Sequence, residues 1–214
     1  IRDDVESRGL GDVYKRQCYY SLFVIHCQAN LIYNIAKVKS RTSKGGYCMP
    51  ALIAYYSRAD ENYFGGTLRY IDKGNTQIAA EILQALTGAD MFRIEQLTPY
   101  SKDYNSCIEE ARSDLRRNAR PELKAMPESL DKYDTIYLGF PNYWGTMPMA
   151  VFTFLERSDL KGKTIKPFCT NEGSGMGESE KDIKVLCPDS TIEKGLSIWG
   201  SKAADSEKVL KKWL

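Results

Sequence analysis

From residue 49 onward, short apolar runs alternate with longer segments whose apolar residues recur at helical spacing, the pattern of βα units that build a parallel sheet. Ala51 to Tyr56 reads as a first strand and Met91 to Glu95 as a short second one. Asp134 to Phe140 (DTIYLGF) is an apolar third, Thr164 to Cys169 a fourth and Gly195 to Trp199 a fifth. Between them, Asn75 to Thr87 carries Ile78, Ala79, Ile82, Leu83 and Leu86 on one face, with Gly88 as its stop. Further helices are expected over 105–118, 147–156, 178–186 and 201–214. Five strands alternating with helices, joined by right-handed crossovers, give an α/β fold, a doubly wound three-layer sandwich. Such a sheet binds ligands at the carboxyl ends of its strands, so the loops after strands one, three and four should form the site.

The first 48 residues do not continue this pattern. Residues 1–17 are polar and aperiodic and read like a translated linker remnant. Residues 18–36 are apolar only in patches, interrupted by His26, Gln28, Asn30 and Asn34, well short of the roughly 20 apolar residues of a membrane span. Lys15 and Arg16 precede them as in a signal peptide, but no clear small-residue cleavage site follows. Residues 1–48 are therefore expected to be a non-native or disordered extension, with Met49 as the start of a single domain over 49–214.

Charge supports that division. The first 48 residues hold 8 of the 30 Lys and Arg but only 4 of the 28 Asp and Glu, which leaves 22 basic and 24 acidic residues and a net charge of −2 in 49–214. A near-neutral domain offers no field for nucleic acid or a membrane surface. The six cysteines contain no CxxC pair, which argues against a metal site or disulfide framework and favours a reducing, cytoplasmic compartment. The only histidine, His26, lies outside the domain. Redox or transfer chemistry in the domain must therefore come largely from a cofactor.

Three loops carry that chemistry. After strand one, Ser57 and then Gly74-Asn75-Thr76 at a helix start offer hydroxyls and free amides to a phosphate, or simply cap the helix. After strand three, Pro141-Asn142-Tyr143-Trp144-Gly145-Thr146 presents two adjacent aromatics able to stack on a planar ring, or to pack on the core. After strand four, Thr170-Asn171-Glu172-Gly173-Ser174-Gly175-Met176-Gly177 brings three glycines that let backbone approach a ligand. Neither a P-loop nor a dinucleotide-binding GxGxxG is present in the expected place.

Taken together, Ser57 with GNT, then PNYWGTMP, then FCTNEGSGMGES resemble the flavodoxin family over Met49 to Leu214. The resemblance implies a five-stranded parallel sheet in order 2-1-3-4-5 and one bound FMN. It implies that Ser57, Asn75 and Thr76 hold the FMN phosphate and that Tyr143 and Trp144 flank the ring, with Pro141, Asn142 and Gly145 shaping that loop. Thr170, Asn171, Gly173, Ser174 and Gly175 would meet the ring from the other side. Stacked aromatics and little positive charge near the ring would make the protein a low-potential electron carrier serving redox partner proteins. The rival is a flavodoxin-like NAD(P)H-dependent quinone or small-molecule reductase.

The chain departs from the family at Arg58 to Lys73 (RADENYFGGTLRYIDK), an insertion of 16 residues in a loop that is compact in the family. Its Tyr63, Phe64 and Tyr70 could cover a flavin or a substrate, but are expected instead to anchor a self-packed surface excursion, and Arg58, Arg69 and Lys73 either assist the phosphate or are solvated. Glu172 is expected to face solvent, Trp199 and Trp213 to pack in the core, and Arg112, Arg116 and Arg120 to lie on a solvated face.

Overall fold

The computed structural model describes residues 50–214, and the expectations for residues 1–48 lie outside the described residues. The chain divides into two units, and Met49–Leu214 is the one described here.

Its strands are β1 (Ala51–Tyr55), β2 (Asp60–Phe64), β3 (Thr67–Ile71), β4 (Asp90–Arg93), β5 (Thr135–Pro141), β6 (Thr164–Asn171), β7 (Thr191–Ile192) and β8 (Leu196–Trp199). The helices are α1 (Asn75–Thr87), α2 (Tyr104–Arg116), α3 (Met149–Arg157), α4 (Ser179–Leu186) and α5 (Glu207–Trp213), with a 3₁₀ segment over Gly200–Asp205. The main sheet is wholly parallel and runs β4-β1-β5-β6, with β7 and β8 both paired to the outer side of β6. With β7 and β8 counted as one edge position, this is the order 2-1-3-4-5.

Both faces of the sheet are buried, as parallel sheets require. Along β1, Leu52 and Ala54 face one core while Ile53 and Tyr55 face the other, the two-residue alternation of a strand. The first core takes Ile136, Leu138 and Phe140 of β5 and packs α3 and α4; the second takes Tyr137 and Phe168 and packs α1 and α5. Gly139 interrupts the apolar run of β5 because a Cβ there would come within 2.3 Å of the Phe168 ring.

Helix ends follow local chemistry. Gly88 closes α1 in the left-handed conformation at φ 71°, its N–H bonding Gln84 O at 2.7 Å. Asp103 opens α2, its carboxylate accepting from Ser106 N at 2.7 Å.

Three features add to or depart from the expectations. The strand expected over Gly195–Trp199 is present as β8, but a short strand precedes it: β7 pairs Thr191 and Ile192 with the start of β6, and after a break β8 resumes at Leu196. The break allows Gly195, where a Cβ would lie 2.4 Å from the Met176 methyl, to donate its N–H to Glu180 at 2.7 Å. The final helix is also broken, because Ser201 N and Oγ are taken by Glu172 and Gly200 lies against Asn75, where a Cβ would be 2.6 Å from the amide nitrogen. Finally, the insertion is an antiparallel hairpin, β2 paired with β3.

Candidate functional site

The carboxyl ends of β1, β5 and β6 open onto a cleft of about 370 Å³, within the range of small-molecule sites. At its α1 end, Gly74 precedes the helix without a side-chain cap, and a Cβ at Gly74 would lie 2.2 Å from Ser57 Oγ. Ser57 Oγ accepts from Gln77 N at 3.1 Å, so it caps the helix from outside and does not line the cleft. The two amides before Gln77, those of Asn75 and Thr76, have no intrahelical acceptor. Asn75 and Thr76 both line the cleft, and the helix dipole there favours an anion. Thr76 is buried and pairs its hydroxyl with that of Thr170 at 2.7 Å, which ties α1 to the end of β6.

The loop after β5 is a two-residue turn. Tyr143 and Thr146 exchange backbone bonds of 2.8 and 3.2 Å, with Trp144 at φ 55° and Gly145 at φ 86°. Positive φ at both central residues is the type I′ geometry, which glycine tolerates and a tryptophan does not without strain. The turn leaves the Trp144 ring 46% exposed. Its indole N–H donates to Ile108 O at 2.7 Å, and the Arg112 guanidinium lies 4.7 Å from the ring centre. Tyr143 packs edge-on against Tyr56, and its hydroxyl lies 3.9 Å from Cys107 Sγ. Burial pushes both the Tyr143 phenol and the Cys107 thiol up, so both stay protonated at neutral pH.

Asn142 joins this loop to the next. Its side chain accepts from Gly145 N and donates to Gly175 O, both at 2.9 Å. Asn171 organises the glycine loop in the same way, with Oδ1 accepting from Gly173 N and Gly175 N at 2.9 Å each. The two loops meet so closely that a Cβ on Gly177 would lie 2.0 Å from Gly145 O. Of the residues expected at the site, Asn75, Thr76, Pro141, Asn142, Tyr143, Trp144, Thr170, Asn171 and Ser174 line the cleft. Ser57, Gly145, Gly173 and Gly175 are not among its lining residues.

Several lining residues escaped the sequence reading. Tyr104, Cys107, Ile108 and Ala111 belong to α2, whose charged sequence concealed the face turned to the cleft. Asn62 of the insertion escaped it too; it lines the cleft beside Arg58 and Tyr63, the two insertion residues whose alternative roles at the site were open in the sequence. The Gly65-Gly66 pair between its two runs was a hairpin signal. The insertion is self-packed only in part: Tyr70 bonds Asp60 at 2.7 Å and Arg69 covers Phe64, but Tyr63 faces the cleft beside Tyr104.

Glu172 does not face solvent free of partners; it accepts from Ser201 N at 2.6 Å, Ser201 Oγ at 3.0 Å and Gly65 N at 3.2 Å, fastening the hairpin tip. Trp199 is 53% exposed, whereas Trp213 packs on Tyr137 and Phe168. Arg112 lies on Trp144, and Arg120 pairs with Glu156 at 2.6 Å.

A helix start suited to an anion, exposed aromatics and a glycine loop around one cleft are the three parts of a mononucleotide site. The family model described as flavodoxin matches residues 68–214. The chain belongs to the flavodoxin family. This flavodoxin-family domain is also similar to solved structures. A Bacteroides eggerthii protein described as a flavoprotein is 30% identical, with a TM-score of 0.63 over 77% of this chain and 95% of that one. A Bacteroides uniformis protein described likewise is 30% identical, with a TM-score of 0.59 over 79% and 98%. A Lactobacillus acidophilus flavoprotein in complex with FMN shares the fold at 17% identity, with a TM-score of 0.55 over 77% and 98%. A search of curated proteins returned no match.

Proposed function

We propose that this flavodoxin-family domain binds one FMN in the cleft and carries electrons between redox partner proteins. The observation that carries the reading is the convergence of the α1 start, the Tyr143–Trp144 turn and the Asn171–Gly175 loop on one cleft. Asn75 and Thr76 would hold the phosphate, Tyr143 and Trp144 would lie along the ring, and Thr170, Asn171 and Ser174 would meet its polar edge. FMN would supply reversible one- and two-electron transfer; the chain would supply binding, orientation and charge. The protonated Tyr143 phenol and Cys107 thiol can donate hydrogen bonds but cannot act as bases at neutral pH.

The low potential expected from scarce positive charge is not supported, because Arg58 lines the cleft and Arg112 stacks on Trp144. The three cysteines of the domain are free and buried, in keeping with a reducing cytoplasm, and among the described residues no helix is long and apolar enough to cross a membrane.

A second reading, an NAD(P)H-dependent reductase of quinones or other small acceptors, is favoured by one observation. The hairpin places Tyr63, 44% exposed, in the cleft wall, where an aromatic acceptor can stack. Stepwise reduction of the FMN-loaded chain separates the two. A carrier shows a long-wavelength absorbance band near half reduction and slow NAD(P)H oxidation in the presence of quinones; rapid, quinone-dependent NAD(P)H oxidation without that band selects the reductase.

A further inference from the structure

Arg58 is the first residue of the insertion and the charged group of the cleft that the fold explains least. Its guanidinium donates to the backbone carbonyls of Glu61, of Ser101 at 2.9 Å and of Lys102 at 2.7 Å. These acceptors are neutral dipoles, so they fix the group in place without cancelling its charge. Among the described residues no carboxylate forms an ion pair with it. Asp103, which feels the Arg58 charge, spends its carboxylate on the start of α2. Arg58 Nε is buried without a hydrogen-bond partner of normal geometry, and the side chain near enough to interact with the guanidinium is the weakly accepting Cys107 thiol. A buried donor without a strong acceptor, on a cation without a counter-ion, is costly and calls for an explanation.

The explanation lies in which wall Arg58 occupies. The anion-binding start of α1 belongs to Asn75 and Thr76, whereas the Arg58 side chain reaches the carbonyls that precede α2. There it shares the cleft wall with Tyr143 and Cys107, and its charge acts on both. We infer that Arg58 is the residue that stabilises negative charge on the ring system of a bound flavin, so that the cleft holds the reduced cofactor more tightly relative to the oxidised one. The inference rests on the proposed FMN site and deepens it, since a fixed cation beside the ring favours its electron-rich form.

The test uses the full chain, Arg58→Gln and Arg58→Lys, with three readouts: affinity for FMN and for riboflavin, the reduction potential of the bound flavin against a reference dye, and thermal unfolding. In Arg58→Gln the affinity ratio of reduced to oxidised flavin should fall about tenfold, as expected for one unit charge removed at close range. Arg58→Lys should restore most of it, and the preference for FMN over riboflavin should not change. Independently of any variant, the wild-type potential should lie at or above that of free FMN.

An unchanged ratio in Arg58→Gln, even with a lower melting temperature, would reduce Arg58 to a staple between the insertion and α2 and overturn the inference. Loss of the FMN preference over riboflavin would place Arg58 on the phosphate and do the same. So would a wild-type potential far below that of free FMN. If the wild-type chain takes up no flavin, the FMN reading fails and the inference falls with it; a chain that binds FMN but shows no Arg58 effect refutes the inference alone.

Discussion

Trp144 adopts φ 55°, a conformation that costs a non-glycine residue about 1–2 kcal/mol. The bond from its indole to Ile108 and the stacking of Arg112 recover part of that cost, yet neither requires the ring to stand half exposed at the cleft. Trp144→Gly relaxes the turn and removes the ring. The expected result is a melting temperature within a few degrees of wild type but FMN affinity weakened about tenfold or more, read by titration of flavin fluorescence.

Gly177 presents the opposite case. A Cβ there would meet Gly145 O at 2.0 Å, and φ is 53°, so Gly177→Ala must part the loop after β5 from the loop after β6. A loss of about 1–3 kcal/mol in a denaturant titration is expected, with weaker flavin binding. The glycine count of this loop was legible in the sequence, but the particular demand on Gly177 was not. It arises from a loop more than thirty residues away, which no local pattern records.

At the scale of elements, legibility followed punctuation. The bounds of α1 were readable because Gly74 and Gly88 bracket a clear apolar stripe. The bounds of α2 were nearly so, but its cleft-lining face was hidden, because Cys107, Ile108 and Ala111 are set among charged residues. The breaks in the edge strand and in the last helix come from tertiary bonds, Glu180 to Gly195 and Glu172 to Ser201, that no propensity contains.

The hairpin shows the same limit. Its glycine pair was visible, but its anchoring to the loop before α2 by Arg58 and to the far loop by Glu172 was not. Glu172→Ala removes all three bonds to that carboxylate. It should cost about 1–3 kcal/mol and make the chain more readily cut by protease between β2 and β3, which limited proteolysis with mass mapping would show. Equal resistance in the variant would mean that Glu172 does not hold the hairpin.

Across the whole molecule, the sheet order follows from the alternation of apolar runs and helices, and each strand that is buried on both faces was found by its apolar run. Burial also gives the domain a pH response. It pushes Cys169 up to about 12 and Cys187 to about 11, from an ordinary value of 9.0. Both thiols ionise more readily in the unfolded chain, so above pH 9 the unfolded state binds fewer protons and stability declines as pH rises toward 11–12. A melting series from pH 8 to 11 should show that decline, and Cys187→Ala should flatten part of it.

The central claim is one FMN in the cleft at the carboxyl edge of this sheet, and its most direct test is the absorbance spectrum of the purified full chain after incubation with FMN and removal of free flavin. The account predicts a retained flavin spectrum at one equivalent per chain, with bands displaced from those of free FMN and its fluorescence quenched by Tyr143 and Trp144. A colourless protein, or flavin that leaves with the solvent, would contradict it.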